Sequence, residues 1–229
     1  MYKIKLKPKK DAFVRRFHPW IFSGAIQSID GTPEDGDAVM VLSAKGESLA
    51  TGHYQAGSIA VRLFAFEEVV PDQEFWTSKL KKAFALRQTL GLTAAETTNC
   101  YRLVHAAGDG LPGLIIDIYG DTAVLQCHSI GMSREREKLV VALQELYGDR
   151  LKAVFDKSTE TLPRNFAADV QEGYLCGQSK PQEVLENGHR FWVNWAAGQK
   201  TGFFLDQREN RQLLTRYVKD KQVLNAFCY

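Results

Sequence analysis

The chain has 229 residues, of which 45% are hydrophobic and 24% charged, and its formal net charge is +2. This ordinary globular composition excludes collagen, coiled coil and disorder as the main structure. At about 100–200 residues per domain, the length fits one large domain or two small ones.

Targeting and metal signals are absent from the sequence pattern. No apolar run approaches the ~18 residues of a membrane helix, and the N-terminus lacks the apolar region of a signal peptide. We therefore expect a cytoplasmic protein that does not bind membranes. The four cysteines form no Cys-x-x-Cys pair, so we expect reduced structural thiols and no metal site. These cysteines are Cys100, Cys127, Cys176 and Cys228.

The N-terminus is strongly basic. Residues 1–16 contain seven basic side chains and one acid, Asp11. Lys3, Lys5 and Lys7 alternate with apolar residues, which predicts a strand with one cationic face. Such a face suits the phosphate backbone of a nucleic acid. A lysine-rich edge strand that discourages aggregation explains the pattern equally well.

Short β-prone runs punctuated by glycine and aspartate continue to about residue 70. Their spacing predicts a small barrel or sandwich. A linker follows at Pro71, and the apolar spacing over residues 74–90 predicts a helix with an N-cap near Asp72. The change from strands to helix places the first domain boundary at Pro71.

The middle of the chain predicts strands covered by a helix. Turn signals stand at residues 108–113 and 120–121, and residues 134–146 have the spacing of an amphipathic helix. The glycines at 108–113 join two strands and open no helix, so they do not predict a phosphate-binding loop. Asp109 is interpreted as a turn-former, although a small-molecule enzyme using Asp109 and His105 is a further hypothesis.

The C-terminal part begins with a hairpin whose turn is Asn187-Gly188. The Lys200-Thr201 pair that follows fails the Walker A pattern, because Gln199 separates the lysine from the preceding glycine. Residues 221–229 predict a buried parallel strand of the kind that begins a Rossmann-like fold.

Residues 198–211 allow two interpretations. Lys200 and Arg208 supply positive charge that can meet a carboxylate, while Asp206 can cap a helix that begins near Gln207. Spacing alone favours the simpler interpretation, which is a helix entry with a solvated charged face.

Three segments resemble the bacterial 23S rRNA cytosine-C5 methyltransferases. Phe17-His-Pro-Trp-Ile-Phe-Ser-Gly-Ala-Ile is similar to part of their PUA domain, a small RNA-binding pseudo-barrel. The strand–turn–strand around Gly108-Asp-Gly-Leu-Pro-Gly resembles their central domain. The segment Gln199-Lys-Thr-Gly-Phe-Phe-Leu-Asp-Gln-Arg-Glu-Asn-Arg is similar to the one that precedes their cofactor-binding fold. Together the resemblance covers essentially the whole chain.

The resemblance implies an α+β fold in three parts. Residues 1–72 would form a PUA-like β pseudo-barrel and residues 73–182 a central α/β accessory domain. Residues 183–229 would form the truncated start of a Rossmann-like methyltransferase domain. The family's nucleophilic cysteine is expected beyond residue 229, and none of the four cysteines is assigned that role.

The implied function is S-adenosylmethionine (SAM)-dependent methylation of C5 of a cytosine in 23S rRNA, with this chain supplying RNA binding. The alternative is a non-catalytic RNA-binding module, and homodimerisation is left open. The candidate cofactor-side residues are Lys200, Thr201, Phe203, Asp206, Arg208 and Phe227. The candidate RNA-binding residues are Lys3, Lys5, Lys7, Arg15, Arg16 and His18. For the turn that contains His18, a core tryptophan at Trp20 is the simpler interpretation.

Overall fold

Six strands form the N-terminal sheet of the structure, a computed structural model that describes residues 1–224 and 226. They are β1 (Tyr2–Leu6), β2 (Trp20–Phe22), β3 (Ile26–Asp30), β4 (Ala38–Leu42), β5 (Ser48–Tyr54) and β6 (Ile59–Ala65). Their order is β2-β6-β5-β4-β1-β3, in which β1 and β4 are parallel and the other neighbours antiparallel. A short 3-10 turn, Ser23–Ala25, joins the edge strands β2 and β3. The sheet therefore curls on itself, and the predicted small barrel is confirmed.

The interior of the barrel follows the alternation of its sequence. On β1, Ile4 and Leu6 are fully buried, Lys3 is exposed and Lys5 is half-buried. The rest of the interior is formed mainly by Ile21, Val39, Val41, Val61 and Leu63. The basic side chains of β1 therefore lie on the outer face, as the pattern predicts.

A long helix, α1 (Gln73–Thr89), follows the barrel. Its N-cap is Asp72, whose carboxylate accepts a hydrogen bond of 2.9 Å from the Phe75 N–H. An aspartate in this position satisfies one of the free amides of the first helical turn. The predicted helix and its cap are confirmed, with each end one residue from the prediction.

The central unit is a five-stranded sheet with helical cover. Its strands are β7 (Cys100–His105), β8 (Leu114–Tyr119), β9 (Thr122–Cys127), β10 (Ala153–Asp156) and β11 (Gly173–Gly177), in the order β11-β10-β9-β8-β7. Its helices are α2 (Ile130–Arg134), α3 (Arg136–Tyr147) and α4 (Arg164–Ala167). The predicted helix over 134–146 is α3, which begins two residues later because Glu135, in a non-helical conformation, separates it from α2.

The central sheet is buried on both faces. One face packs against α1 and α3 through a large apolar cluster that includes Leu80, Leu103 and Leu143. The other face is covered by the hairpin of β12 (Gln182–Glu186) and β13 (His189–Val193). The hairpin turns at Asn187 and Gly188, with φ of 51° and 81°, the backbone of a type I′ turn. The predicted hairpin is confirmed.

The last helix is α5 (Arg208–Val218). The predicted buried strand at 221–229 is not formed over residues 221–224, where Leu224 is 90% exposed. No strand among the described residues pairs with this segment, so its backbone has no sheet to join. The prediction for Phe227 and Cys228 lies outside the described residues.

Candidate functional site

The outer face of the barrel carries cations without acidic partners. Lys3, Lys5 and Arg16 form no ion pair within the described part of the chain. The Lys7 ammonium donates a hydrogen bond of 2.9 Å to the Gly24 carbonyl, which fixes it beside the turn that follows β2. Lys3, Lys7 and Arg16 are exposed and Lys5 is half-buried, so this positive charge can meet a polyanion.

Arg15 differs from its neighbours because two carboxylates hold it. Its Nε lies 2.8 Å from Asp11, and its other end pairs with Glu47. Both hydrogen bonds raise the pKa of Arg15. The position agrees with the cationic surface that was predicted, but the charge of Arg15 is largely balanced locally.

The turn before β2 places its aromatic side chains outward. Trp20 is 38% exposed and Phe22 46% exposed, while Ile21 between them is fully buried. The interpretation of Trp20 as a core tryptophan is therefore wrong. On a strand of three residues that has one inward position, Ile21 takes that position and its two neighbours must face solvent.

The segment of residues 198–208, here called the motif segment, is anchored through Thr201. This threonine is fully buried, and its hydroxyl donates to Asp117 Oδ2 at 2.5 Å and contacts the Tyr119 hydroxyl at 2.8 Å. Asp117 also accepts from Arg102, at 2.8 Å and 2.9 Å. The segment is thus tied to strand β8 of the central sheet through a buried carboxylate.

A buried lysine holds the start of the same segment. Lys157, which follows β10, is 7% exposed and donates to the carbonyl of Trp195 at 2.6 Å and to that of Gly198. Its ammonium replaces water as the partner of both carbonyls, as buried polar groups require. The backbone before Lys200 is therefore fixed by the central unit.

The predicted cofactor-side residues do not converge on one pocket. Phe203 lines a cavity of about 490 Å³ together with Phe191, Trp192 and Phe204. Asp206 and Arg208 line a different cavity of about 410 Å³. Thr201 is fully buried, and Phe227 lies outside the described residues.

The charged members of this set have partners within the chain. The Lys200 ammonium lies 3.7 Å from Asp206 and 4.3 Å from the centroid of the Phe204 ring. Arg208 donates to the Cys100 carbonyl, and its Nε is 3.6 Å from Glu186. Lys200 and Asp206 remain half-exposed, whereas Arg208 is largely committed to the β7 and β12 strands.

Asp206 does not cap the last helix. Residues 205–207 form a 3-10 turn, so α5 begins at Arg208 with Gln207 as the N-cap and no side-chain capping bond. The prediction placed the helix one residue early. The extra turn moves Asp206 off the helix end and beside Lys200.

Asp109 proves to be more than a turn-former. Its carboxylate pairs with the Arg87 guanidinium at both oxygens, one of them at 2.8 Å, and accepts the His105 N–H at 2.5 Å. Both of its oxygens are occupied, which leaves no free carboxylate for the hypothesis of an enzyme using Asp109 and His105.

Two of the thiols among the described residues, those of Cys100 and Cys127, are not placed for nucleophilic chemistry. Burial raises the pKa of Cys100 to about 11, and burial also raises the pKa of Cys127. Cys176 is half-buried and free. Since the thiolate is the reactive form, the two buried thiols stay protonated and inert.

Metal-ligand clusters and membrane-spanning helices are not found in the described part of the chain. Its residues include no cluster of three or more histidine, cysteine, aspartate or glutamate side chains that could hold a metal ion. None of the described helices is both long and apolar enough to cross a membrane.

The class of the N-terminal unit follows from a family comparison. A family model described as a PUA-like domain matches residues 4–66, the span of the barrel. The chain therefore has a mixed α+β fold with a PUA-like N-terminal domain, as the sequence predicted.

Two curated proteins of the same name are similar to this chain over nearly its whole length. The chain is 40% identical to ribosomal RNA large subunit methyltransferase I of Aliivibrio fischeri and 38% identical to the protein of that name from Tolumonas auensis. The first match covers 99% of this chain and 57% of the relative, and the second 97% and 56%. The chain thus spans somewhat more than half the length of these relatives.

Solved structures show the same fold. A protein from Streptococcus mutans, provisionally described as a SAM-dependent methyltransferase, matches with a TM-score of 0.77 and 22% identity over 95% of this chain and 55% of its own. A structure provisionally described as a methyltransferase complexed with SAH gives a TM-score of 0.76 at 22% identity, over 93% of this chain and 53% of its own.

Proposed function

We propose that this chain binds and orients RNA for a SAM-dependent methyltransferase of the large ribosomal subunit, with C5 of a cytosine in 23S rRNA as the modified atom. The observation that carries the proposal is a PUA-like barrel whose outer face presents cations without acidic partners among the described residues. The 40% identity to a named rRNA methyltransferase over 99% of the chain supports it.

In this proposal the barrel supplies contacts to phosphates. Lys3 and Lys5 lie on β1, Lys7 follows its end, and Arg16 lies on the turn before β2. Contacts of this kind position a nucleic acid without reading its sequence. In this proposal the central unit and the motif segment help to orient the bound RNA.

A salt titration of RNA binding tests the proposal. Affinity of the chain for a structured RNA is measured by filter binding between low and high salt, and the logarithm of affinity should fall linearly with that of salt. A variant with Lys3→Glu, Lys5→Glu and Lys7→Glu should bind more weakly, and its salt slope should fall by about one for each phosphate that a lysine no longer neutralises.

The matched control reverses three exposed lysines elsewhere, through Lys81→Glu, Lys82→Glu and Lys219→Glu. The control has the same net charge as the test variant, so both feel the same change in overall attraction. Equal weakening of the two variants, or RNA affinity that ignores salt, would contradict specific phosphate contacts on β1.

The described candidate residues do not by themselves form a SAM pocket. Phe203 faces one cavity and Arg208 another, while the Thr201 hydroxyl is used by Asp117. We therefore expect little or no binding when labelled SAM is titrated into this chain. Tight stoichiometric binding would contradict the conclusion that these residues do not form a SAM pocket.

The separation of the candidate cofactor-side residues between two cavities favours a second candidate function, a non-catalytic RNA-binding module. Both candidates predict salt-dependent RNA binding, and both predict little SAM binding by this chain. Stoichiometric SAM binding by the chain would exclude the second candidate. Homodimerisation of the chain stays an open prediction.

A further inference from the structure

The outer face of β2 carries an exposed group of rings that the phosphate contacts above do not use. His18, Trp20 and Phe22, here called the aromatic cluster, are all exposed, and Phe17 beside them is 71% exposed. Single apolar side chains on a surface are ordinary, but contiguous ones commonly mark an interaction site. The aromatic cluster is therefore a candidate binding site.

The rings of the cluster are held in place. The Trp20 N–H donates to His18 Nδ1 at 3.2 Å, which fixes the imidazole against its own strand. The His18 centroid lies 5.8 Å from Trp20 and 6.2 Å from Phe22, and Trp20 lies 6.5 Å from Phe22 at 89°. These contacts order the rings while part of each stays in solvent.

Positive charge surrounds the cluster. Arg16 precedes Phe17, the Lys7 ammonium reaches the carbonyl two residues after Phe22, and Arg62 stands opposite Trp20 in the β2–β6 pair. An apolar protein partner would not need these cations. A ligand with flat rings on a negatively charged backbone fits both features.

We propose that the aromatic cluster stacks an unpaired base of RNA while Arg16 and Lys7 contact the flanking phosphates. The inference rests on the RNA-binding function proposed above and specifies the kind of RNA. Bases inside an A-form duplex are stacked on each other and cannot reach a protein ring, whereas bases in loops and bulges can. The chain should therefore prefer RNA that has an unpaired segment.

The test compares two labelled RNAs of equal length, one a hairpin with an unpaired loop and the other a blunt duplex. The variant is Trp20→Ala with Phe22→Ala. Its affinity for the loop RNA should fall about ten-fold or more, as expected when an aromatic stacking partner is removed. Its affinity for the duplex and its salt slope should stay within about two-fold of the parent chain.

Controls separate this inference from the proposed function. Trp192→Ala removes an exposed tryptophan on β13 and should bind both RNAs like the parent. Trp20→Phe keeps a ring and should retain most of the loop preference, whereas unchanged duplex binding by the alanine variant shows that it is folded. The variant with Lys3→Glu, Lys5→Glu and Lys7→Glu should weaken binding to both RNAs, because it removes phosphate contacts that do not depend on an unpaired base.

Two results would overturn the inference. One is equal binding of loop and duplex by the parent chain, and the other is a Trp20→Ala, Phe22→Ala variant that loses both RNAs equally or neither. Failure of the parent chain to bind either RNA would instead contradict the proposed function itself. The two failures are therefore distinguishable.

Discussion

At the scale of single residues, the motif segment depends on one hydroxyl. Thr201 is one of the donors to the fully buried Asp117, whose other partner is Arg102. A buried carboxylate needs such donors because it has lost its hydration. Thr201 therefore stabilises the junction between the motif segment and the central sheet.

Thr201→Val keeps the shape of the side chain and removes its hydroxyl. We expect a loss of about 1–3 kcal/mol in the free energy of unfolding, because the buried Asp117 Oδ2 loses one of its two hydrogen-bond donors. Urea denaturation measures this value. Thr159→Val is the matched control, since the Thr159 hydroxyl is buried without a hydrogen-bond partner among the described residues and should change stability little. Equal loss in the two variants would exclude the proposed anchor.

The resemblance marked residues 198–208 as a candidate cofactor-side segment, but the sequence did not show which contacts fix this segment to the rest of the chain. The partner of Thr201 is 84 residues away on β8, and no local pattern reports a contact at that separation. The resemblance to a methyltransferase family drew attention to Lys200 and Arg208 as cofactor-side residues, and in the structure both have partners within the chain.

At the scale of elements, an ion pair joins α1 to the turn after β7. Arg87 and Asp109 are nearly buried, with side chains 9% and 5% exposed, and their hydrogen bonds use both carboxylate oxygens. The pair fixes the helix against the edge of the central sheet. Removal of one partner leaves the other charge buried alone.

Asp109→Ala should destabilise the chain by about 3–5 kcal/mol, because the Arg87 guanidinium then lacks its counter-charge. The double variant Arg87→Met with Asp109→Leu should lose less than that, because no charge is left unpaired in the interior. Chemical denaturation of the three chains gives the comparison. A double variant at least as unstable as Asp109→Ala would show that packing, rather than the lone charge, dominates.

The elements that the sequence predicted well are those with local signals. Asp72 marks the start of α1, and the dipeptides Gly120-Asp121 and Asn187-Gly188 mark two hairpins. Strand β11 was missed, because a glycine stands at each of its ends, which is a signal for turns rather than for strands. The position of Trp20 was missed because a three-residue strand does not show which of its faces is inward.

At the scale of the whole molecule, the barrel and the central unit meet at a buried histidine. His53 on β5 is 2% exposed, and its ring stacks on Trp76 of α1 at 5.9 Å and 18°. A Cβ on Gly131 of α2 would overlap the atoms of this ring. Because position 131 has no side chain, helix α2 of the central unit packs directly against the His53 ring of the barrel.

Burial lowers the pKa of His53 below its ordinary value of 6.5. Glu135, whose carboxylate is 3.8 Å away, opposes this shift, whereas Lys138 and Arg134 reinforce it. The folded chain therefore holds His53 neutral at a pH where the unfolded chain has begun to protonate it. As the pH falls through about 6.5 toward the folded pKa, the unfolded state binds more protons and stability is lost.

His53→Phe removes the titrating group while an aromatic ring remains between Phe64 and Trp76. We expect the Tm of the parent chain to fall more steeply than that of the variant as the pH is lowered from 7.5 to 5.0, approximately the range in which His53 takes up its proton on unfolding. Differential scanning calorimetry of the two chains across this range measures the difference in slope. His189→Phe, on the exposed start of β13, is the control for replacement of a surface histidine. If the His53→Phe variant keeps the parent's dependence on pH, the histidine between the two units does not govern their response to acid.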